Sequence, residues 1–204
     1  MTADRLDQVL RLIDEANAHD PTVVEVDGAP VPAELVYGRR MSAVLAEFQP
    51  AAGEILRIAA RGQHLERWTS PRQSYPPGRI GYLTWRKDLK DYHARRVGDL
   101  MAAAGYGKSD IERAGQLLRK ERLSLDSEVQ TIEDVACLVF LKYYAERFIA
   151  PHDDAKVIDI LAKTARKMSK NGIAAAGQLA LAERLSRLLL TALASRGPAA
   201  SPHA

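Results

Sequence analysis

Apolar residues recur at helical spacing along almost the whole chain, and a single short stretch has the make-up of extended backbone. Leu6, Val9, Leu10, Ile13 and Ala16 predict a helix over residues 3–19. Asp20-Pro21 ends it, because a proline disfavours helix in the residue before it. Residues 22–32 combine β-branched side chains, Asp27-Gly28 and two prolines, which predicts an extended loop with room for a short hairpin. No other segment supplies strands for a larger sheet, so the expected class is all-α.

The remaining punctuation divides the helices. Leu35, Val36, Val44, Leu45 and Phe48 predict a helix from Ala33 that stops before Pro50, and Ile55, Leu56, Ala59 and Ala60 carry the next. Pro71, Pro76 and Pro77 keep the stretch from Trp68 to Gly81 from being helical throughout. Helix returns near Tyr82 and ends at about Ala104, where Gly105-Tyr106-Gly107 reads as a glycine cap. Ser109 to Glu112 and Ser127 to Gln130 read as capping boxes, the second opening an apolar helix through about Phe148. A further helix is expected from Asp153 to Lys170, stopped by Asn171-Gly172, and a last one from Ile173 to about Leu193. The expectation is seven to nine helices in one compact domain, residues 1–194, with a disordered tail over 195–204.

With 204 residues, 47% hydrophobic and 27% charged, the chain can bury a sizeable core. No apolar run approaches the roughly 18 residues that span a bilayer, and the opening residues lack a basic, apolar signal. The chain therefore reads as cytoplasmic, with no membrane partner. Cys137 stands alone in an apolar run, which excludes a disulfide framework and a thiolate zinc site and assigns the thiol to the core. No Walker loop, dinucleotide fingerprint, nucleophile elbow or HExxH pair is present.

Net charge is only +3, but ten Lys and Arg face three acids between Arg57 and Arg96. Arg67, Arg72, Arg79 and Arg86 offer planar donors for phosphate or carboxylate, and Trp68, Tyr75, Tyr82 and Trp85 offer rings for stacking. His64 ends an apolar helix directly before this segment, and His93 lies on the helix after it. Glu133 and Asp134 open the most apolar helix, where buried acids need a cation or donor, although a helix N-terminus also favours them. Lys120 lies near the turn before that helix.

Gln63-His64-Leu65-Glu66-Arg67-Trp68, Pro71-Arg72, Ser74-Tyr75-Pro76, Gly81-Tyr82-Leu83, Trp85-Arg86, His93-Ala94 and the run from Glu133 to Leu141 resemble the family numbered 4202 among the domains of unknown function. More distantly, the chain resembles the HD-domain metal-dependent phosphohydrolases. Tyr37 to Met41 is similar to the segment of their first histidine, Ala59 to His64 to the helix of their His-Asp doublet, the helix from His93 to their H-x-x-x-G-A helix, and Asp134 to their final aspartate. Tyr37 replaces the first histidine, Gln63-His64 replaces His-Asp, and Lys120 falls near a further histidine position, so the usual two-metal site is not expected.

The resemblance implies one divalent metal held by His64, His93 and Asp134, or a metal-free site in which Lys120 supplies positive charge. On that basis the expected function is an HD-like hydrolase of a small phosphorylated or nucleotide-like anion. His64, His93, Glu133, Asp134 and Lys120 would act in catalysis, and Arg67, Trp68, Arg72, Tyr75, Arg79, Tyr82, Trp85 and Arg86 would hold the substrate. The alternative is a binding module for a nucleotide, an RNA end or a protein partner. A purely structural role leaves the basic segment without a purpose.

Overall fold

The computed structural model describes residues 2–194, which form ten α-helices, two 3-10 turns and one two-stranded sheet. The chain is all-α, as expected. It separates into two compact units, Met1–Ile132 and Glu133–Ala204. No helix among the described residues is long and apolar enough to cross a membrane.

The first unit begins with α1 (Thr2–Asn17), followed by the antiparallel hairpin of β1 (Val23–Val26) and β2 (Ala29–Pro32). Asp27 and Gly28 both take positive φ, 51° and 79°, the conformation a two-residue hairpin loop demands. Then come α2 (Ala33–Phe48), α3 (Glu54–Arg61), 3-10 turns at Arg67–Thr69 and Arg72–Ser74, α4 (Gly78–Ala103) and α5 (Lys108–Arg119). Ile13, Met41, Leu45, Leu56, Ile58, Met101 and Leu117, fully buried, bring the core-facing stripes of α1 to α5 together. Each such side chain contributes ~1.5–3 kcal/mol relative to leaving it in water.

Two glycines let chains approach closely around α4. A Cβ on Gly81 would lie 2.0 Å from the Pro76 carbonyl oxygen, so the proline loop can double back onto α4 only at a glycine. A Cβ on Gly62 would lie 2.4 Å from Val97, which sets how near the end of α3 comes to α4. At its far end α4 closes as expected. Gly105 has φ 82°, its N–H donates to Ala102 O and that of Tyr106 to Met101 O, satisfying the last carbonyls of the helix.

α6 (Ser127–Tyr143) begins in the first unit and continues into the second, which also holds α7 (Ala145–Ile149), α8 (Asp154–Ala165), α9 (Lys170–Ala176) and α10 (Glu183–Ala194). α8 packs on α10, with Val157, Leu161, Leu185 and Leu188 buried.

Several local expectations are corrected. α5 starts at Lys108 with Gly107 as its cap, so Ser109 lies two residues past the cap position and does not cap it. The cap of α6 is Asp126, whose Oδ1 accepts from the N–H groups of Glu128 and Val129, and not Ser127. The apolar helix expected through Phe148 breaks at Tyr144. Asn171-Gly172 does not stop a helix but lies inside α9, which Ser169 caps by accepting from the Gly172 N–H at 3.0 Å. Residues 173–193 are accordingly not one helix. The expected disorder of 195–204 concerns residues outside those described.

Candidate functional site

His64 lies just past α3, and its Nδ1 is 3.0 Å from Glu34 Oε2 on the first turn of α2. Three residues on from Glu34, on the same helix face, Tyr37 stacks its ring on the imidazole with centroids 3.7 Å apart and planes 8° from parallel. His93 of α4 completes the cluster, its ring centroid 6.2 Å from that of His64.

The backbone around this cluster is held by buried polar side chains. Asn17, 1% exposed, donates to Glu34 O and accepts from the Glu66 N–H, tying the start of α2 to the turn after His64. Asp20 accepts from the N–H groups of Thr22 and Glu34. Glu66 takes a left-handed backbone conformation, φ 53°, and its carboxylate accepts from Nε and Nη2 of Arg96 at 2.7 and 2.9 Å and from the Tyr92 hydroxyl. These contacts fix where His64 stands.

The electrostatics of the cluster depart from those of a structural ion pair. Burial pushes the Glu34 carboxyl up to about 7, and Arg67, whose Nη1 lies 3.8 Å away, only partly opposes it. His64 is held well below its ordinary value, by burial first and then by the positive charges of Arg67, Lys120 and Arg86. Burial, His64, Arg67 and Arg86 lower His93 to about 3. At neutral pH both imidazoles are therefore uncharged. The 3.0 Å contact is better described as one proton shared between Glu34 and His64 than as an imidazolium–carboxylate pair.

One feature of the cluster is unsatisfied. The Nε2 atom of His93, on a residue only 5% exposed, has no hydrogen-bond partner among the described residues, and the same holds for Gln63 Nε2 beside His64. Buried polar atoms left unpaired are costly, and each calls for a partner such as a ligand or a water.

Of the residues expected to form a site, the fold brings His64, His93, Arg67 and Arg86 to one place, and the charge of Lys120, at the left-handed C-cap of α5, acts on His64. Others do different work. Trp85 is buried, donates its indole N–H to Ser70 O and lies under Arg67, so it is not a free stacking surface. Arg72 donates to the carbonyls of Tyr75 and Gly78, stapling the proline loop, and Tyr75 donates to Asp88. Trp68 is half-buried, and Arg79 and Tyr82 are exposed on the first turns of α4.

Glu133 and Asp134 belong to the second unit. They lie in the second turn of α6, not at its opening, so the helix-terminus explanation for them does not apply. Asp134 accepts from the Ser169 N–H at 2.8 Å and from its hydroxyl. Glu133 has Lys167 at 3.9 Å. Among the described residues no three His, Cys, Asp or Glu side chains are grouped so as to hold a metal ion.

Glu34 is the residue of this cluster that sequence reasoning missed. The available signal was an acid three residues before Tyr37, in the otherwise apolar opening of a helix.

Residues 7–189 match the model of the family described as Domain of unknown function (DUF4202). The chain belongs to this family. No curated protein and no solved structure matches it. The match takes in residues of both units.

Proposed function

We propose that this DUF4202 protein is an HD-like hydrolase of a small phosphorylated or nucleotide-like anion, with the Glu34–His64 pair as its acid–base group. The observation that carries the reading is the 3.0 Å contact between a carboxyl pushed up to about 7 and an imidazole kept neutral by burial and by surrounding cations. A carboxyl that titrates near pH 7 is matched to proton transfer at that pH, and the imidazole beside it is in the uncharged form that can accept a proton.

In the proposed reaction Glu34 orients His64 through Nδ1 and leaves Nε2 as the base. Tyr37 holds the ring plane. Arg67, Arg86 and Lys120 attract the anion and offset the charge that develops on it, as preorganised donors do in a partly dry site. His64 takes a proton from water as the water oxygen bonds to phosphorus. The ester P–O bond breaks, the leaving oxygen takes up a proton from solvent, and His64 returns its own. One water is consumed for each alcohol and phosphate released. His93 Nε2, buried and unpartnered, is the proposed hydrogen-bonding contact for the bound phosphoryl group.

The test is hydrolysis of p-nitrophenyl phosphate and of nucleoside monophosphates by the wild type and His64→Ala, with and without added divalent metal. Turnover in the wild type that falls at least ~10²-fold in His64→Ala, with unchanged thermal unfolding, is expected. Saturable phosphate binding with no turnover in any condition would reassign the site to a binding module. Absence of both binding and turnover would end the reading.

A further inference from the structure

The proline loop and the first turns of α4 carry cations beyond those that the cluster around His64 uses. Between Thr69 and Lys87 there are four cations, Arg72, Arg79, Arg86 and Lys87, and no acid. Arg72 is committed to backbone carbonyls and Lys87 to Asp91. Arg79 and Arg86 are exposed and make no hydrogen bond or ion pair among the described residues. They stand seven residues apart on α4, two turns along one face and about 10 Å in axial rise.

Between them that face presents Tyr82, 44% exposed, and Leu83, 54% exposed, with Ile80 beside Arg79 at 84%. An aromatic ring and two aliphatic side chains so open to water on a helix tip are placed for contact with another molecule. One end of the stripe adjoins the site: Trp85, next to Arg86 on α4, lies under Arg67, whose Nη1 is 3.8 Å from Glu34, and the charge of Arg86 also acts on His64 and His93.

We propose that this stripe binds a single-stranded oligonucleotide, whose terminal phosphate reaches His64 while a phosphate further along meets Arg79 and a base packs on Tyr82. The inference rests on the proposed reading of the His64 site and adds a specificity to it: the substrate is the end of a chain, not a free mononucleotide. Two unpaired guanidiniums at this separation, with a ring between them, match the alternation of phosphates and bases along a flexible strand. An anionic membrane would meet the same charges, but it favours a broad apolar face, and here Ile80 and Leu83 are the aliphatic side chains exposed on this part of α4.

The experiment is binding of 5′-phosphorylated mono-, di- and tetranucleotides by the full chain, as oligouridylate and as oligothymidylate, at several salt concentrations. Affinity is expected to rise about tenfold or more from mono- to tetranucleotide, with a log–log salt slope near −1.4 for two phosphate contacts on a single strand. Arg79→Ala is expected to remove the gain with length and halve the slope, and Ile80→Glu, which places an acid at the helix tip, to do the same without removing an arginine. A stronger gain for one sugar type identifies RNA or DNA as the source. Equal affinity for all lengths overturns the inference and leaves the His64 reading standing, whereas binding of none of them, mononucleotide included, removes both. Sedimentation with phosphatidylglycerol vesicles but no length-dependent nucleotide binding assigns the stripe to a membrane and overturns the inference as well.

Discussion

Glu34 and Glu66 stand on either side of the same histidine, one paired with it across space and the other two residues after it, yet their environments are opposite. Glu66 is gripped by Arg96 and Tyr92, which hold its carboxylate below the usual range, and the same pairing raises the Arg96 guanidinium. Glu34 has an imidazole at 3.0 Å and an arginine no nearer than 3.8 Å, and burial prevails and pushes it up to about 7. A carboxylate held by a two-pronged guanidinium and a hydroxyl is a fastener. A carboxyl whose burial is left uncompensated stores free energy that the fold alone has no use for, and such groups gather where protons are moved.

The largest effect that would break or sharpen this contrast is on the pH dependence of stability. Glu34 ionises near 4.5 in the unfolded chain and near 7 in the folded one, so between those values the folded state holds the proton more tightly. Stability from this group is full below about pH 4.5 and is lost as pH rises toward 7. Glu34→Gln removes that loss. The variant should gain on the wild type by up to ~3 kcal/mol between pH 4.5 and 7, at 1.36 kcal/mol per unit, while phosphomonoester turnover falls. Denaturant unfolding of both proteins at pH 4.5 and 7 checks this, and a constant difference across the range would return Glu34 to the class of ordinary surface acids. The histidines work in the opposite direction. Their lowered values mean that stability from His64 and His93 is lost as pH falls below about 6.5, so acid unfolding should begin with their protonation.

A smaller effect is expected at the fastener. Arg96→Ala leaves Glu66, whose side chain is 18% exposed, with the Tyr92 hydroxyl alone, and should cost about 2 kcal/mol, the size of a charge-assisted hydrogen bond discounted for partial exposure. Because Glu66 is held low, this loss should be present at neutral pH and fade as pH falls through the lowered value, the reverse of the profile at Glu34. Identical pH profiles for the two variants would dissolve the distinction.

How much of this was legible in the sequence follows from the range of the interactions involved. The all-α class, the Asp27-Gly28 hairpin and the glycine cap after α4 depend on residues within a few positions of each other, and each could be read directly. The start of α9 could not, since Ser169 is fixed by Asp134, 35 residues earlier, and that contact outweighs the local stop signal of Asn171-Gly172. The site divides in the same way. His64, His93 and the arginines were visible because their chemistry is concentrated in one segment. Glu34 lies 30 residues before His64, and nothing in its own neighbourhood says that it is buried against an imidazole.

The smallest expected effect concerns Asp134, which sequence resemblance made a ligand and which the fold also employs as a fastener. Within the second unit its carboxylate holds Ser169, whose hydroxyl in turn accepts from Gly172. A Cβ on Gly172 would lie 2.6 Å from that carboxylate, so the helix start is built around it. Ser169→Ala should cost ~1 kcal/mol, an ordinary N-cap loss, or about 2–4 °C in a chain of this length. Asp134→Asn should destabilise too, and the double variant should lose less than the two separate losses combined, because both substitutions break the same contact. Additive losses would mean that Asp134 stabilises the chain through other partners, and the case for Asp134 as a site residue would then rest on those partners.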